Sequence, residues 1–290
     1  MAMRIWARLG LGVAALVAAG VGGLYGASEW VIRRSHAVPL APIAVPHDAA
    51  SIAEGSRLAT LTGCKSCHGD GKGAVWTPVD WREGQVAPPP IARSIVRYSD
   101  AELARLIRQG MTKEGRTVFI MPAWSMTYLA DDDVGRIIAW ARSLRPAPGD
   151  VLATTWFGPV GRWKILTGET RPSVVADPHG VAKRPADPGR YLTQVLCSEC
   201  HALTEPRAHD GKPVPPLAPM AASYAPAEFQ RLLHEGIGAG GRDVGFMGTI
   251  VKENLHALRP DEVDAVQRYL RGVAAKEAGA VAPQVSGRAR

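Results

Sequence analysis

Two short stretches of this 290-residue chain combine residue types that can do chemistry: CKSCH at 64–68 and CSECH at 197–201. Together they contain all four cysteines of the chain, and each time a histidine directly follows the second cysteine. Two thiols three positions apart lie on the same side of a turn, and the histidine leaves the same turn. Such a pair can form a disulfide, bind a metal ion or add covalently to an organic group.

The spacing C-x-x-C-H is the sequence signature of covalent haem attachment. Each thiol can add across one vinyl group at the haem edge, and the histidine is then carried beneath the iron, which it binds. The thiols predicted to attach haem are Cys64, Cys67, Cys197 and Cys200. The predicted iron-binding histidines are His68 and His201. We therefore predict two covalently bound haem c groups as cofactors.

The chain also contains two similar blocks, at residues 51–146 and 188–274. SDAELARLIRQG in the first block matches APAEFQRLLHEG in the second, and PPIA matches PPLA, in the same order. Each block predicts a helix before the C-x-x-C-H motif, a loop, a second helix, a loop with a methionine and a last helix. Ser99 and Glu102 have capping-box spacing. The pattern predicts two all-α domains of about three helices each, with thin cores that a large apolar ligand would complete.

Other chemistries for the cysteine pairs remain as alternatives. A thioredoxin-like disulfide needs a βαβ context, which neither block predicts. A zinc site could take both pairs as four ligands, but the pairs lie in separate repeats and zinc would not require a histidine after each. Chance is the third alternative, and the identical placement of the motif in both repeats disfavours it.

Near the N-terminus, residues 9–27 carry no charge and are long enough to span a bilayer as a helix. Trp6, Tyr25 and Trp30 lie near its two ends, as interfacial aromatic residues do. This predicts an uncleaved membrane anchor, and a cleaved signal peptide is the alternative. Arginines stand on both sides of the apolar run, so the positive-inside rule does not set its orientation.

Composition sets further limits. The net charge is +7, and arginines that flank the apolar run supply much of it. The rest has no basic stripe interleaved with aromatic residues, which excludes nucleic acid as the expected partner. Pro- and Gly-rich segments separate the blocks, and the connector contains Trp156 and Trp163, which we expect to pack on at least one domain or to dock a partner. The predicted organisation is an anchor at 1–34, a tether at 35–50, the first domain at 51–146, a connector at 147–187, the second domain at 188–274 and a tail at 275–290.

With these motifs, both blocks resemble class I cytochrome c domains. The whole chain resembles a membrane-anchored dihaem cytochrome c, similar to the cytochrome subunits that serve periplasmic dehydrogenases. The resemblance implies a methionine in the loop before the last helix as the second axial iron ligand. Met121, which precedes Pro122 in FIMPAW, fits this place, and Met247 in GFMGT fits it by repeat alignment but lacks the proline. The other candidate methionines are Met111 and Met220, interpreted as packing residues, and Met126, the more serious rival.

The resemblance also implies a proline after each motif whose carbonyl accepts a hydrogen bond from Nδ1–H of the ligand histidine. Such a bond orients the ring and tunes the iron. Pro89 or Pro90 matches this place after the first motif, and Pro215 or Pro216 matches it after the second. An ordinary extended loop is the alternative interpretation of each.

The resemblance implies function and location as well. Covalent haem attachment takes place on the outer face of the bacterial cytoplasmic membrane, so the haem domains are expected in the periplasm and the N-terminus inside. The implied function is electron transfer, without catalysis of its own, from a donor dehydrogenase or quinol-oxidising complex to an acceptor oxidase or soluble cytochrome. The alternatives are a dihaem redox enzyme of the peroxidase or thiosulfate-oxidising type, which needs one iron with an exchangeable or unusual ligand, and an interaction or sensor module.

Overall fold

The computed structural model describes residues 2–76, 80–175, 183–209 and 211–281, and these are mostly helical, as predicted. The helices in the first part are α1 Ala2–Arg33, α2 Ala49–Leu61, α3 Cys64–Cys67, α4 Ile91–Ser94, α5 Asp100–Gln109, α6 Ala123–Met126 and α7 Asp131–Ser143. The helices that follow are α8 Pro159–Thr167, α9 Pro188–Cys197, α10 Leu217–Ser223, α11 Pro226–Glu235, α12 Phe246–Glu253 and α13 Pro260–Val281. Helix α13 thus continues into the predicted tail.

Strands are short and form two separate antiparallel ribbons in the described parts of the chain. Strand β1, Gly84–Gln85, pairs with β2, Trp156–Phe157, and so joins the connector to the first block. Strand β3, Arg207–His209, pairs with β4, Lys212–Val214. A thioredoxin-like site requires parallel strands joined by a helix, and the described residues form none.

Helices α2 and α7 cross in the first block. Val134, Ile137 and Ile138 of α7 are buried at helical spacing, as predicted. Gly55 of α2 lies at the crossing: a Cβ added there would stand 1.9 Å from the carbonyl oxygen of Arg136. Only glycine lets the two backbones approach this closely.

The same crossing recurs between α9 and α13 in the second block. A Cβ added at Gly189 of α9 would stand 2.0 Å from the carbonyl oxygen of Ala265. Val263, Val266 and Leu270 of α13 are buried at helical spacing. The two matching halves of the sequence therefore place equivalent helices in equivalent contact.

The second predicted helix is α5 in the first block and α11 in the second block. Helix α5 begins with the predicted capping box: Ser99 N donates to the Glu102 carboxylate at 2.7 Å, and Glu102 N donates to Ser99 Oγ at 3.3 Å. Both helices end at a left-handed glycine, Gly110 (φ +62°) in α5 and Gly236 (φ +71°) in α11. The capping-box prediction is confirmed.

The segments that carry the candidate methionines differ between blocks. Met121 lies in a loop before α6, as predicted. The prediction of a loop at Met247 is wrong, because this residue stands in the first turn of α12. Met247, Ile250 and Val251 have helical spacing and all pack against the hydrophobic core, which stabilises a helix at this place.

The predicted tether after α1 is extended, but it is packed on the first block. His36 N donates to the Gly115 carbonyl at 2.8 Å, and Ile43 and Val45 contact the hydrophobic core. A Cβ added at Gly135 of α7 would stand 2.2 Å from the Ala44 carbonyl oxygen. The chain between α1 and α2 is therefore held in place along the surface of the first block.

The connector also packs, as predicted. Its strand β2 pairs with β1, and its helix α8 lies close enough to the first block that a Cβ added at Gly161 would stand 2.1 Å from the Glu83 carbonyl oxygen. The same helix contacts the C-terminal end of α1, where Arg162 binds Glu29 at 2.9 Å. Part of the predicted connector, residues 176–182, lies outside the described residues.

Candidate haem sites

The first C-x-x-C-H motif forms one tight turn directly after α2. Gly63 between α2 and α3 has φ +77°, a left-handed conformation that lets α3 start at once in a new direction. His68 N donates to the Cys64 carbonyl at 2.9 Å, and Cys67 N donates to the Gly63 carbonyl at 2.9 Å. These bonds place both thiols and the imidazole on the same turn.

The thiols of the first motif lie in partly buried, apolar surroundings. Burial raises the pKa of Cys64, although Thr62 Oγ1 lies 3.4 Å from Cys64 Sγ and opposes the shift. Burial, together with the neighbouring Cys64, raises the pKa of Cys67 to about 11. Both groups are therefore neutral thiols near pH 7, and none of the four cysteines is joined in a disulfide. A neutral thiol pair in an apolar setting fits an apolar ligand edge.

The His68 ring is held by a single backbone acceptor. Its Nδ1 lies 2.8 Å from the Pro89 carbonyl oxygen. A carbonyl can only accept, so Nδ1 carries the proton and donates, and Nε2 holds the lone pair. Burial lowers the pKa of His68, against the opposing effect of this bond, and so favours the neutral ring. With the proton on Nδ1, the neutral imidazole has a lone pair on Nε2, and this is the form that binds a metal ion.

The second motif repeats this arrangement. Cys197 is the last residue of α9, and His201 N donates to its carbonyl at 2.9 Å. His201 Nδ1 lies 2.9 Å from the Pro215 carbonyl oxygen, which sets the same tautomer as in His68. Burial raises the pKa of Cys197 to about 12. Both motifs thus present two thiols and an oriented imidazole from one turn.

The structure also separates the prolines within each predicted pair. The carbonyls of Pro89 and Pro215 meet the histidine rings, whereas Pro90 and Pro216 do not. Pro90 and Pro216 instead stand at the N-caps of α4 and α10, where their carbonyls accept backbone N–H groups of the following helix turn. Of the two prolines considered after each motif, Pro89 and Pro215 thus make the contact with histidine. The carbonyls of Pro90 and Pro216 are used to start a helix.

The methionines occupy different environments. Met111 is fully buried and Met126 is 5% exposed within the core of the first block, so both side chains are used for packing. Met121 and Met247 are only partly buried. Met220 on α10 also packs against the core. The ligand roles of Met121 and Met247 stay predictions. Because Met126 packs in the core, it is a weaker candidate for the iron ligand than Met121.

The backbone before Met121 has an unusual conformation that sequence analysis did not anticipate. Ile120 has φ +70°, in the left-handed region that β-branched residues rarely adopt. Asp70, two residues after His68, also has a positive φ of 56°. Such conformations cost about 1–3 kcal/mol each and cluster at functional sites, where the surrounding structure holds them. Aspartate adopts the left-handed region more readily than most residues, whereas nothing in the residue type predicts this conformation for Ile120.

Each candidate site is contacted by a residue of the other block. Glu199, between the cysteines of the second motif, accepts a hydrogen bond from Ser125 N of α6 at 3.3 Å. Next to the first motif, a Cβ added at Gly63 would stand 3.5 Å from Asn254 Nδ2 of the second block. Sequence analysis missed Glu199 and Asn254. The only available signal was that the residues between the cysteines differ, Lys65-Ser66 against Ser198-Glu199.

A shared zinc site is a poorer fit to this arrangement. Within residues 2–76, 80–175, 183–209 and 211–281, no three His, Cys, Asp or Glu side chains form a group that could hold a metal ion. The two cysteine pairs therefore do not combine into one four-thiolate site. Each motif instead offers thiols for covalent attachment and one histidine, a donor set that fits haem c.

Comparison with known families agrees with this donor set. Residues 50–140 match the family model of cytochrome C oxidase, cbb3-type, subunit III. This match contains the first C-x-x-C-H motif, its proline and Met121. The chain therefore carries a cytochrome c family domain.

The chain as a whole is similar to the cytochrome subunits of two dehydrogenases. The fructose dehydrogenase cytochrome subunit of Gluconobacter japonicus is 25% identical over 280 residues, which covers 83% of this chain and 56% of that protein. The gluconate 2-dehydrogenase cytochrome c subunit of Pantoea cypripedii is 24% identical over 273 residues, which covers 79% of this chain and 61% of that protein. This chain thus spans little more than half the length of both relatives.

Proposed function

We propose that this chain is a membrane-anchored dihaem cytochrome c that transfers electrons in the periplasm and has no catalytic activity of its own. The observation that carries the proposal is the repeated turn geometry. In each motif two thiols and a histidine leave one turn, and the histidine donates Nδ1–H to a prolyl carbonyl, at 2.8 Å in the first motif and 2.9 Å in the second. Two such sites in one chain suit two covalently bound haems.

The residues take simple roles in this proposal. Haem, when bound, supplies a one-electron iron couple. The thiols of each motif would hold it covalently, and the neutral histidine would bind the iron through Nε2. Met121 would supply a second ligand to the iron bound by His68, and Met247 to the iron bound by His201. Pro89 and Pro215 fix the ring orientation and increase the basicity of each histidine.

Two tandem cytochrome c domains are the organisation that we propose around these sites. The support is the recurrence of the helix crossing at Gly55 and Gly189, each with a backbone carbonyl of the last helix against the glycine. The family match covers the first block only. The second block is assigned by its equivalent motif, helix order and crossing.

The anchor is proposed to be α1. Among the described residues one helix, Met3–Arg33, is long and apolar enough to cross a membrane by length and composition, a test that a signal sequence near the N-terminus also passes. Its apolar side chains face outward and are largely exposed. We place its N-terminus inside the bacterial cytoplasmic membrane and the haem domains in the periplasm, where haem c is attached.

A dehydrogenase is the proposed electron donor, because both relatives are cytochrome subunits of dehydrogenases. A quinol-oxidising complex could fill the same place, and an oxidase or a soluble cytochrome is the proposed acceptor. An electron that passes through this chain from donor to acceptor must move between its two haems, so the two haem edges must lie near one another. The contacts of Glu199 with Ser125 of the first block, and of Asn254 with Gly63 next to the first motif, support a short separation between the two sites.

The experiment that tests the proposal is low-temperature EPR of the oxidised full chain, purified in detergent after expression with a haem-attachment system. Haem content by pyridine haemochrome is measured on the same sample. We expect two haems per chain and two low-spin signals, since two axial ligands close the iron to substrate. One haem per chain would overturn the dihaem assignment. A high-spin signal in the unmodified protein would overturn the carrier and favour a dihaem redox enzyme.

A further inference from the structure

Helix α8 of the connector has an apolar stripe that the described parts of the chain leave exposed. Val160, Trp163 and Leu166 follow one another at every third position and are 37%, 60% and 38% exposed. These three residues are called the α8 stripe below. The opposite side of the helix, with Gly161 and Ile165, is buried against the protein. The helix is therefore anchored on one side and presents an apolar surface on the other.

The position of α8 follows from its contacts with α1. Arg162 Nη1 donates to Ser28 Oγ and to the Glu29 carboxylate, both at 2.9 Å, and its guanidinium lies 4.5 Å from the Tyr25 ring centroid. The apolar run of α1 contains Tyr25 and ends at Ala27, directly before Ser28 and Glu29. At about 1.5 Å of rise per residue, α8 contacts α1 within a few ångström of the end of that run. If α1 spans a bilayer, α8 lies at the level of the lipid headgroups.

Two further exposed tryptophans lie at this level. Trp30 in the last turn of α1 is 65% exposed, and Trp81 is 68% exposed. The Trp81 backbone contacts the start of α8, since a Cβ added at Gly158 would stand 2.2 Å from its carbonyl oxygen. A guanidinium lies over each ring at 5.3 Å, Arg34 over Trp30 and Arg82 over Trp81.

These features match the chemistry of a membrane surface. Tryptophan rings concentrate at the boundary between headgroups and acyl chains, and guanidinium groups pair with lipid phosphates. A short helix with an apolar face on one side lies in the plane of that boundary. We propose that the α8 stripe, together with Trp30 and Trp81, rests on the lipid surface and forms a second, peripheral membrane contact.

This inference rests on the proposed anchor role of α1 and extends it. A single helix followed by a loose linker would let the haem domains rotate freely above the membrane. Because α8 is fixed both to α1 and to the first block, contact of its stripe with lipid sets the tilt of that block. The sites of electron exchange then face a defined direction.

The test uses the full holoprotein in nanodiscs of phosphatidylcholine and phosphatidylglycerol that contain a lipid with a headgroup-proximal photoreactive diazirine. After illumination, labelled peptides are identified by mass spectrometry. We expect lipid adducts on peptides from both α1 and α8. The variant V160S/W163S/L166S should lose most of the α8 label, severalfold at least, and keep the α1 label. Val96→Ser, which removes another exposed apolar side chain from the first block, should change neither.

The outcomes separate the two proposals. Label on α1 without label on α8 would overturn the membrane contact and leave the anchor standing, and the α8 stripe would then be a surface for a protein partner. Absence of label from α1 would overturn the anchor itself. An α8 label that survives in the triple serine variant would show that the stripe does not make the contact.

Discussion

At the scale of single residues, each histidine is oriented by one backbone carbonyl. His68 and His201 use the carbonyls of Pro89 and Pro215, while the following prolines start the next helix. Pro89 and Pro215 each precede another proline, which restricts them to an extended backbone and directs their carbonyls away from the helical turn that follows. In both motifs the backbone therefore sets the orientation of the histidine ring. Substitution of a neighbouring side chain leaves this acceptor in place.

Met121 and Met126 offer a matched pair of substitutions at this scale. We expect Met121→Leu to abolish one low-spin EPR signal of the His/Met type and to lower one reduction potential, since methionine ligation raises the potential of haem iron. Met126→Leu should leave both signals and both potentials unchanged, because Met126 packs in the core. Its cost should be under about 1.5 kcal/mol in the free energy of unfolding.

EPR and a spectroelectrochemical titration of the two variants check this prediction. Loss of the signal in the Met126 variant, with the Met121 variant unchanged, would reassign the ligand.

At the scale of elements, the two glycine crossings hold each block together. The added Cβ of Gly55→Ala or Gly189→Ala would stand within 2.0 Å of a carbonyl oxygen on the partner helix. We expect either change to force the helix pair apart and to lower the free energy of unfolding by about 3 kcal/mol or more. Gly272→Ala on α13 meets nothing within 4 Å and serves as the control.

The control should be neutral or more stable by up to about 1 kcal/mol, since alanine is the better helix former. Thermal and urea unfolding of the holoproteins in detergent measure all three. Equal stability of Gly189→Ala and the unmodified protein would show that α9 and α13 have room for a Cβ at Gly189, against the 2.0 Å approach to the Ala265 carbonyl oxygen.

A second element-scale contact joins α9 to the start of α7. The Tyr191 hydroxyl donates to the buried Asp133 carboxylate at 2.6 Å and accepts from Ala130 N at 3.0 Å. Arg136 binds the same carboxylate at 3.1 Å, and Arg184 contacts it as well. Tyr191→Phe leaves Ala130 N without this acceptor, so we expect a loss of about 1–3 kcal/mol in the free energy of unfolding.

The same contact predicts a pH dependence. Burial first, and then the charge of Asp133, raise the pKa of Tyr191 well above its ordinary 10.0. The folded state therefore holds this proton more tightly than the unfolded chain does. Its contribution is fully present below pH 10 and declines as the pH rises above 10. Between pH 8 and pH 11, the melting temperature should fall less in Tyr191→Phe than in the unmodified protein; an identical fall in both would contradict this.

At the scale of the whole molecule, the two blocks are joined by an ion-pair network around Arg57. Its guanidinium donates to both oxygens of Glu262 on α13, at 2.8 and 2.9 Å, to the Ala257 carbonyl at 3.0 Å, and to Glu54 on its own helix at 2.7 Å. Burial alone would lower the pKa of Arg57, but both carboxylates raise it above its ordinary value. Together with the contact of Tyr191 with Asp133, this network fixes how the blocks sit against each other.

Arg57→Ala should therefore separate the unfolding of the two blocks and cost about 2–4 kcal/mol, because Glu54 and Glu262 lose their more buried partner. Both carboxylates then keep only the more exposed Arg259. Arg231→Ala removes an exposed pair with Glu235 and should change stability by less than about 0.5 kcal/mol. Differential scanning calorimetry distinguishes one transition from two. A single unshifted transition in Arg57→Ala would mean that the network does not couple the blocks.

Acid should weaken the same network. The hydrogen bond from Arg57 lowers the pKa of Glu54 below its ordinary 4.5, and burial opposes this only in part. The contribution of Glu54 is thus present above pH 4.5 and is lost as the pH falls through its lowered value. The melting temperature at pH 3 relative to pH 6 should fall less in Arg57→Ala than in the unmodified protein. An equal fall would exclude the bond between Arg57 and Glu54 as a source of acid sensitivity, since Arg259 still pairs with Glu54 in the variant.

Much of this protein could be predicted from its sequence because the relevant signals are local. The motifs of the thiols and histidines, the capping box at Ser99 and the apolar spacing of α7 and α13 involve residues within a few positions of each other. Local geometry of this kind depends on side-chain chemistry and helix periodicity, which a sequence displays directly. The all-α class and the repeat followed from the same signals.

Only the tertiary structure decided which of two adjacent prolines meets each histidine, that Met247 stands on a helix, and that the tether is packed. It also brought Glu199 to Ser125, Arg57 to Glu262 and Arg162 to the end of α1. These contacts join residues far apart in the chain, and their partners are set by how the helices cross. Charge and hydrogen-bond complementarity over such separations leave no periodic trace in the sequence, so folding had to place them together before they could be recognised.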